Sequence, residues 1–195
     1  SNEAVQDLEA AYELDSEGTV EELILALGEG RDAALSVSDR ERFRALSFRL
    51  IELLNECERG DESREALAHY LSIEPSDEEA LRRLIEVDTA IENWAGVAWA
   101  CARLVEISEG EAQVEAVLAL ADASEAAGTP ADARGPLESV LASQPSEPRL
   151  RERLKEIYKA SGAYLELAEI ELAEAALAPD DETRFELYRH AGELF

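Results

Sequence analysis

The chain has 195 residues, of which 45 are acidic and 18 basic, and its formal charge is −27 at pH 7. The sequence has no basic block to neutralise a phosphate backbone or to hold the chain on an anionic membrane, so we expect neither nucleic acid nor membrane as a partner. Apolar residues still make up 46% of the chain, which is well above the level of a disordered acidic tail and predicts a folded protein.

The composition is dominated by strong helix formers, and only six prolines and ten glycines interrupt it. It therefore predicts an all-α protein. The apolar runs are far shorter than the roughly 20 residues of a membrane helix, and the segment 1–4 lacks the features of a signal peptide. We expect a cytoplasmic protein. Because methionine is absent and the helical pattern is unfinished at Phe195, we also expect a piece of a longer protein.

Helical spacing of apolar residues is clear along most of the chain, as in Leu46, Leu50, Leu53 and Leu54. It is least clear at 28–30, where two glycines in one turn cost about 2 kcal/mol of helix propensity relative to alanine and predict a kink or break. The predicted helices, in chain order, are 3–14, 19–35, 39–58, 62–73, 77–92, 95–107, 110–126, 130–143, 147–160, 163–177 and 181–194.

Turn signals recur at a fixed period, which indicates an internal repeat. Prolines followed by polar N-cap residues restart a helix at Pro75, Pro145 and Pro179. A second, evenly spaced series marks the turn that follows a first helix, where glycine favours a left-handed C-cap. Its members share a period of 34 in the numbering and are Gly60, Trp94, Gly128 and Gly162. The unit is a helix, a turn, a second helix and a loop.

A longer period is superimposed on this one. Phe43, Val114 and Phe185 recur with a period of 71 in the numbering, and each lies near the start of a predicted first helix. Alternate units are therefore expected to resemble one another more closely than neighbouring units do.

The unit at 148–179 resembles the tetratricopeptide repeat. Leu154 and Tyr158 stand four apart in its first helix, Gly162 follows at the turn, and Pro179 closes the unit. The resemblance implies a right-handed α-solenoid of about five and a half helix-turn-helix repeats, forming a single domain over 1–195. The match is clear over 39–195 and weakest over 1–38. In that family the first helices line a concave groove and the second helices form the convex back.

No constellation typical of catalysis, metal binding or a cofactor is found in the sequence. His69 and His190 are isolated on predicted helices, without a second histidine or a cysteine at ligand spacing. Cys57 and Cys101 have apolar neighbours, so buried reduced thiols are expected. The Gly-x-Gly at 28–30 follows no strand and precedes no Lys-Ser/Thr, so it is not a phosphate loop. We expect a protein that is not an enzyme.

Basic residues concentrate in the first helices, so the groove implied by the resemblance is expected to be less acidic than the rest of the surface. Such a groove suits an acidic peptide segment or a terminal carboxylate. The alternative is that these arginines only neutralise glutamates of their own helix. The candidate peptide-binding residues are Arg42, Arg49, Arg82, Gln113, Arg149, Arg153 and Lys159.

These observations predict a non-enzymatic scaffold that binds a peptide or a partner helix on its concave face. Two other roles remain open at this point. One is that the chain is the regulatory or scaffolding arm of a larger enzyme or signalling protein. The other is that it associates with itself through the last helix at 181–194. A monomer or weak homo-oligomer is expected, and an acidic convex surface that attracts basic proteins is a further alternative.

Overall fold

The computed structural model describes residues 5–6 and 19–194. Within these residues the chain is all-α and contains no strand. The helix predicted at 3–14 lies outside them except for Val5 and Gln6, which are helical. The described helices are α1 (Thr19–Ser36), α2 (Arg40–Glu56), α3 (Gly60–Ile73), α4 (Glu78–Ala90), α5 (Trp94–Ile107), α6 (Gly110–Ala126), a 3-10 turn (Pro130–Ala133), α7 (Arg134–Ser143), α8 (Pro148–Ser161), α9 (Tyr164–Leu177) and α10 (Asp181–Leu194).

The predicted helix boundaries from residue 19 onward agree with the structure to within two residues, apart from one segment. Residues 130–133, predicted as the first turn of an α-helix, form the 3-10 turn instead. Pro130 begins this turn and Pro136 lies in the first turn of α7. Proline is tolerated there because the N–H groups of a first helical turn have no intrahelical partner.

The break expected at 28–30 does not occur, because α1 runs continuously through both glycines. A Cβ atom on Gly30 would lie 3.2 Å from Leu46 Cδ1 of α2, whereas one on Gly28 would meet open space. Gly30 therefore permits close packing of α1 on α2, and this packing offsets its poor helix propensity.

The chain divides into two compact units, Ser1–Glu92 and Asn93–Phe195. The first unit contains α1 to α4 and the second contains α5 to α10. Within each unit every helix packs on the next one in the chain, and in the second unit α6 also packs on α8. Successive helices that pack mainly on their neighbours are the arrangement of an α-solenoid, so the predicted fold class is confirmed. The single domain over 1–195 stays a prediction.

Three helices of the first unit correspond to three segments of the second at an offset of 70 in the numbering. Helices α2, α3 and α4 begin at 40, 60 and 78, and the matching segments 110–126, 130–143 and 148–161 begin at 110, 130 and 148. Between α2 and α6 the expected period of 71 is therefore wrong by one position, whereas α6 and α10 begin 71 apart, at 110 and 181. Its three markers are not equivalent either, because Phe43 and Val114 are buried whereas Phe185 is 65% exposed.

The turns after the first helices use a left-handed residue, but not at the first two predicted positions. Gly60 and Trp94 begin the second helices α3 and α5. The left-handed residues of these turns are Glu58, Glu92, Gly128 and Gly162. After Glu58, the Arg59 N–H donates to the Leu54 carbonyl at 2.8 Å, and after Gly128 the Thr129 N–H donates to the Ser124 carbonyl at 2.8 Å. These bonds satisfy the last carbonyls of the first helix.

Candidate binding site in the second unit

The first unit is packed around a cluster of three aromatic rings. Phe43 of α2 stacks on Tyr70 of α3 with ring centroids 5.4 Å apart, and Phe48 meets the same tyrosine edge-on at 5.4 Å. At the matching positions of the second unit, these three side chains are replaced by Gln113, Leu118 and Val140. The smaller side chains leave space at the same positions of the repeat, and two pockets open there.

The first pocket lies between the first helices α6 and α8. We call it the Leu118 pocket, and its volume is about 350 Å³. Leu118 supplies its apolar wall from α6, and the rest of the lining comes from the start and middle of α8. Its lining residues are Leu118, Pro148, Arg149, Glu152, Arg153 and Glu156.

In the first unit the ring of Phe48 occupies the position of Leu118. The guanidinium groups of Arg44 and Arg83 lie over this ring, 4.4 and 4.5 Å from its centroid. Arg83 also bonds Glu52 at 3.1 Å, and the corresponding residues of the second unit, Arg153 and Asp122, pair at 3.0 Å. This one ion pair is therefore shared by the two units, whereas the Phe48 ring and Arg44, whose position is occupied by Val114, are present only in the first.

The charges around the Leu118 pocket are mainly negative. Arg149 bonds Glu111 at 2.6 Å and Glu147 at 2.9 Å. Its hydrogen bond lowers the pKa of the Glu147 carboxyl below the ordinary value. Arg153 has three carboxylate partners within 3.0 Å, namely Asp122, Glu125 and Glu156. Each arginine is thus outnumbered by the carboxylates it contacts.

The second pocket lies between the second helices α5 and α7, with α6 as its floor. We call it the Gln113 pocket, and its volume is about 430 Å³. The side-chain amide of Gln113 donates from Nε2 to the Val105 carbonyl at 3.0 Å, which fixes the glutamine against α5. The lining residues are Ala102, Val105, Glu106, Gln113, Leu120, Pro136, Ser139, Val140 and Ser143.

The structure brings together only some of the predicted peptide-binding residues. Arg149 and Arg153 meet in the Leu118 pocket, and Gln113 lines the other pocket. The other four predicted residues, which line neither pocket, are Arg42, Arg49, Arg82 and Lys159.

Three of these four are arginines of the first unit. Arg42 is half-buried, and its Nε finds no hydrogen-bond partner among the described residues. Arg49 lies 3.6 Å from Glu56, and Arg82 bonds Glu78 at 2.8 Å. Two of the three arginines therefore pair within their own helix, as the alternative interpretation expects.

Leu118, Ser139 and Val140 were not predicted as site residues. They carry no charge or motif that singles them out in the sequence. They can be identified from the sequence only with the offset of 70, which aligns Leu118 with Phe48 and Val140 with Tyr70. The loss of ring volume at these positions then indicates a pocket.

The cysteines and histidines do not form a reactive centre in the described part of the chain. Both thiols are free, with Cys101 buried as expected and Cys57 only half-buried. Burial, together with the nearby Asp122 carboxylate, raises the pKa of the Cys101 thiol to about 11. His190 Nδ1 lies 2.7 Å from Glu171 Oε1. Over residues 5–6 and 19–194, no group of three or more potential ligands is placed to hold a metal ion.

None of the helices that the structure describes combines the length and the apolar character needed to cross a bilayer.

Comparisons with known proteins add little to this geometry. No family model matches the chain, and no curated protein matches it. Among solved structures it is similar to a tetratricopeptide repeat protein from Parabacteroides merdae ATCC 43184, with a TM-score of 0.37 and 14% identity over 98% of this chain and 85% of that chain. The α-solenoid fold is therefore established by the chain's own helix-turn-helix repeats.

Proposed function

We propose that the protein is a non-enzymatic scaffold that binds a polypeptide segment along the first-helix side of its second unit. The observation that supports this proposal is the Leu118 pocket, an open apolar position between α6 and α8 that the first unit fills with Phe48. An apolar side chain of the partner would insert there, and its burial from water would supply the main part of the affinity.

The charges favour a partner segment that carries Lys or Arg beside the inserted side chain. Glu111, Asp122 and Glu125 already satisfy the two pocket arginines, so an acidic segment would have to displace them. A basic segment would instead meet a surplus of exposed carboxylates at the edge, because Glu156 shares Arg153 with Asp122 and Glu125. Glu152, also exposed there, bonds Lys155 at 2.6 Å. The acidic segment expected from the arginine distribution stays a prediction and is the competing outcome of the test.

The test is selection of a random displayed peptide library on the immobilised chain. We expect the enriched peptides to share one apolar residue next to Lys or Arg. Leu118→Phe restores the ring of the first unit and fills the pocket, so it should weaken binding of these peptides about tenfold, which is about 1.4 kcal/mol. The matched control is Leu165→Phe, at a position that is 56% exposed on α9, and it should bind as the wild type does.

Equal binding by the wild type and Leu118→Phe would overturn the assignment of the pocket. Enrichment of acidic peptides that lose binding in Arg149→Gln and Arg153→Gln would establish the acidic partner instead. Enrichment of no peptide class would favour the other two roles, the arm of a larger enzyme or a self-associating chain. Light scattering over a range of concentrations separates these two, because only self-association raises the mass. A cytoplasmic location stays a prediction.

A further inference from the structure

The Gln113 pocket of the second unit lies at the positions of the repeat that the aromatic cluster occupies in the first unit. Two of its lining residues, Gln113 and Val140, correspond by the offset between the units to Phe43 and Tyr70, whose rings stack in the first unit. A third, Ser139, corresponds to His69, whose ring meets Phe43 edge-on with centroids 6.5 Å apart. The first unit therefore has aromatic rings at these positions, and the second unit does not.

The size and lining of the pocket suit one aromatic side chain. An apolar cavity of about 150 Å³ is large enough to bind benzene, and the Gln113 pocket measures about 430 Å³. Val105, Leu120 and Val140 supply apolar walls. The Ser139 hydroxyl makes no hydrogen bond with any described residue, so it is free to bond a phenol or an indole N–H.

The surroundings of the pocket indicate the charge of the partner. Glu106 is the charged residue of the lining, and its carboxylate contacts Arg103 at 2.8 Å. Trp99 is 45% exposed and lies three residues before Ala102, on the same side of α5 as the pocket. The chain as a whole carries a charge of −27. A second copy of this chain is therefore disfavoured as the occupant, and a segment that pairs an aromatic residue with lysine or arginine is favoured.

We propose that the Gln113 pocket binds an aromatic side chain of a partner polypeptide, in place of the rings that Phe43 and Tyr70 supply in the first unit. This site lies between second helices and shares no lining residue with the Leu118 pocket. It is independent of the function proposed above, and either site can exist without the other.

The experiment uses p-cresol and indole as ring probes and follows the amide signals of the whole chain by two-dimensional NMR. We expect concentration-dependent shifts at the residues that line the Gln113 pocket. Cyclohexanol, which has no aromatic ring, should bind at least threefold more weakly. Blocked Lys-Tyr-Lys should bind about tenfold more tightly than blocked Glu-Tyr-Glu at low salt, with a smaller ratio at high salt because salt screens exposed charges.

Gln113→Phe places a ring inside the pocket and should weaken probe binding at least tenfold. The matched control is Gln144→Phe, because Gln144 also donates its amide to a backbone carbonyl, that of Gly110 at 3.0 Å, but lies outside the pocket. If Gln113→Phe does not fold, Ser139→Trp blocks the same pocket from an exposed position. Leu118→Phe should leave the probe-induced shifts of the Gln113 pocket unchanged, because Leu118 does not line that pocket, and this keeps the test separate from the first.

The absence of shifts at the Gln113 pocket, or unchanged binding in both Gln113→Phe and Ser139→Trp, would overturn the proposal. A molecular mass that rises with concentration, and that returns to the monomer value in Gln113→Phe, would show that a second copy is the occupant and would overturn the assignment to a partner.

Discussion

The segment α2 to α4 of the first unit and the segment α6 to α8 of the second share one helical register, but they fill it differently. In the first, Phe43, Phe48 and Tyr70 pack on one another and leave their positions closed. In the second, the corresponding residues are shorter and two pockets open. One ion pair beside these positions is retained, as Arg83–Glu52 in the first and Arg153–Asp122 in the second. The comparison teaches that a repeat preserves its backbone while exchanging internal packing for an accessible surface.

The turns that follow α2 and α6 differ in backbone strain, and here the first unit has the less favourable residue. The left-handed residue after α2 is Glu58, and its counterpart after α6 is Gly128. A side chain in the left-handed conformation costs roughly 1 kcal/mol, which glycine avoids. The segment with the better packed core therefore has the more strained turn, and the segment with the open pockets has the relaxed one.

The largest expected effect comes from giving the first unit a residue of the second. Tyr70→Val removes the ring that contacts both Phe43 and Phe48, and it should destabilise the chain by about 3 kcal/mol. Hydrogen exchange should show the loss of protection at 40–73 rather than at 110–143. The control is Tyr158→Val, which should cost about 1 kcal/mol less because no other described ring packs on Tyr158. Equal losses would contradict the importance of the stack.

The second largest effect is expected from Asp77, whose carboxylate accepts a hydrogen bond from the hydroxyl of Tyr70 in the aromatic cluster. Burial of the Asp77 carboxyl tends to raise its pKa, but hydrogen bonds from the Tyr70 hydroxyl, the Ala80 N–H and Arg44 prevail and hold the pKa below its ordinary value of 3.8. Asp77 therefore contributes stability that is present above about pH 4 and is lost as the pH falls through the lowered folded value. Asp77→Ala should cost about 2 kcal/mol at pH 7, because it removes the N-cap of α4 and the tyrosine bond.

Denaturant unfolding from pH 7 down to pH 2 checks this expectation. The difference between the wild type and Asp77→Ala should shrink below about pH 4. The corresponding N-cap of α8 is Glu147, whose carboxylate accepts hydrogen bonds from the backbone N–H and the guanidinium of Arg149 but from no tyrosine. Glu147→Ala should therefore destabilise the chain less than Asp77→Ala does. A gap that does not depend on pH would show that the charge of Asp77 does not matter.

A smaller effect is expected from exchanging the turn residues. Glu58→Gly should stabilise the chain, and Gly128→Glu should destabilise it, each by about 1 kcal/mol. Thermal and urea unfolding of the two single variants measure both changes. Changes of the same sign in the two variants would contradict the interpretation that backbone strain distinguishes the turns.

The smallest effect concerns the ion pairs shared by the two segments. Arg153→Gln should cost about 0.5 kcal/mol, because its carboxylate partners are largely exposed to solvent. Arg83→Gln should cost slightly more, up to about 1 kcal/mol, since Arg83 also lies over the Phe48 ring. Urea unfolding at low and high salt checks both values, and the loss in Arg153→Gln should decrease with salt. A larger loss in Arg153→Gln than in Arg83→Gln would rule out the ring contact as the difference.

Helix positions could be read from the sequence because their signals are local. Asp77 caps α4 through its own side chain, and Gly162 ends α8 in the left-handed conformation. The continuous α1 could not be predicted, since the reason for Gly30 is the close approach of Leu46 from another helix. The candidate site was predicted only in part. Arg149 and Arg153 followed from the pattern of charge, whereas Leu118 depended on a comparison with Phe48 that an offset of 71 instead of 70 concealed.

The sequence by itself determined that this protein is a series of amphipathic helices with a repeated turn, because apolar periodicity and capping residues act over a few neighbouring positions. It also determined the strongly acidic charge. Only the tertiary structure decided which carboxylates pair with each arginine, that Glu58 and Glu92 adopt the left-handed conformation, and where the missing rings leave space. These outcomes depend on contacts between helices that are distant in the chain, where the volume of one side chain sets the room left for another.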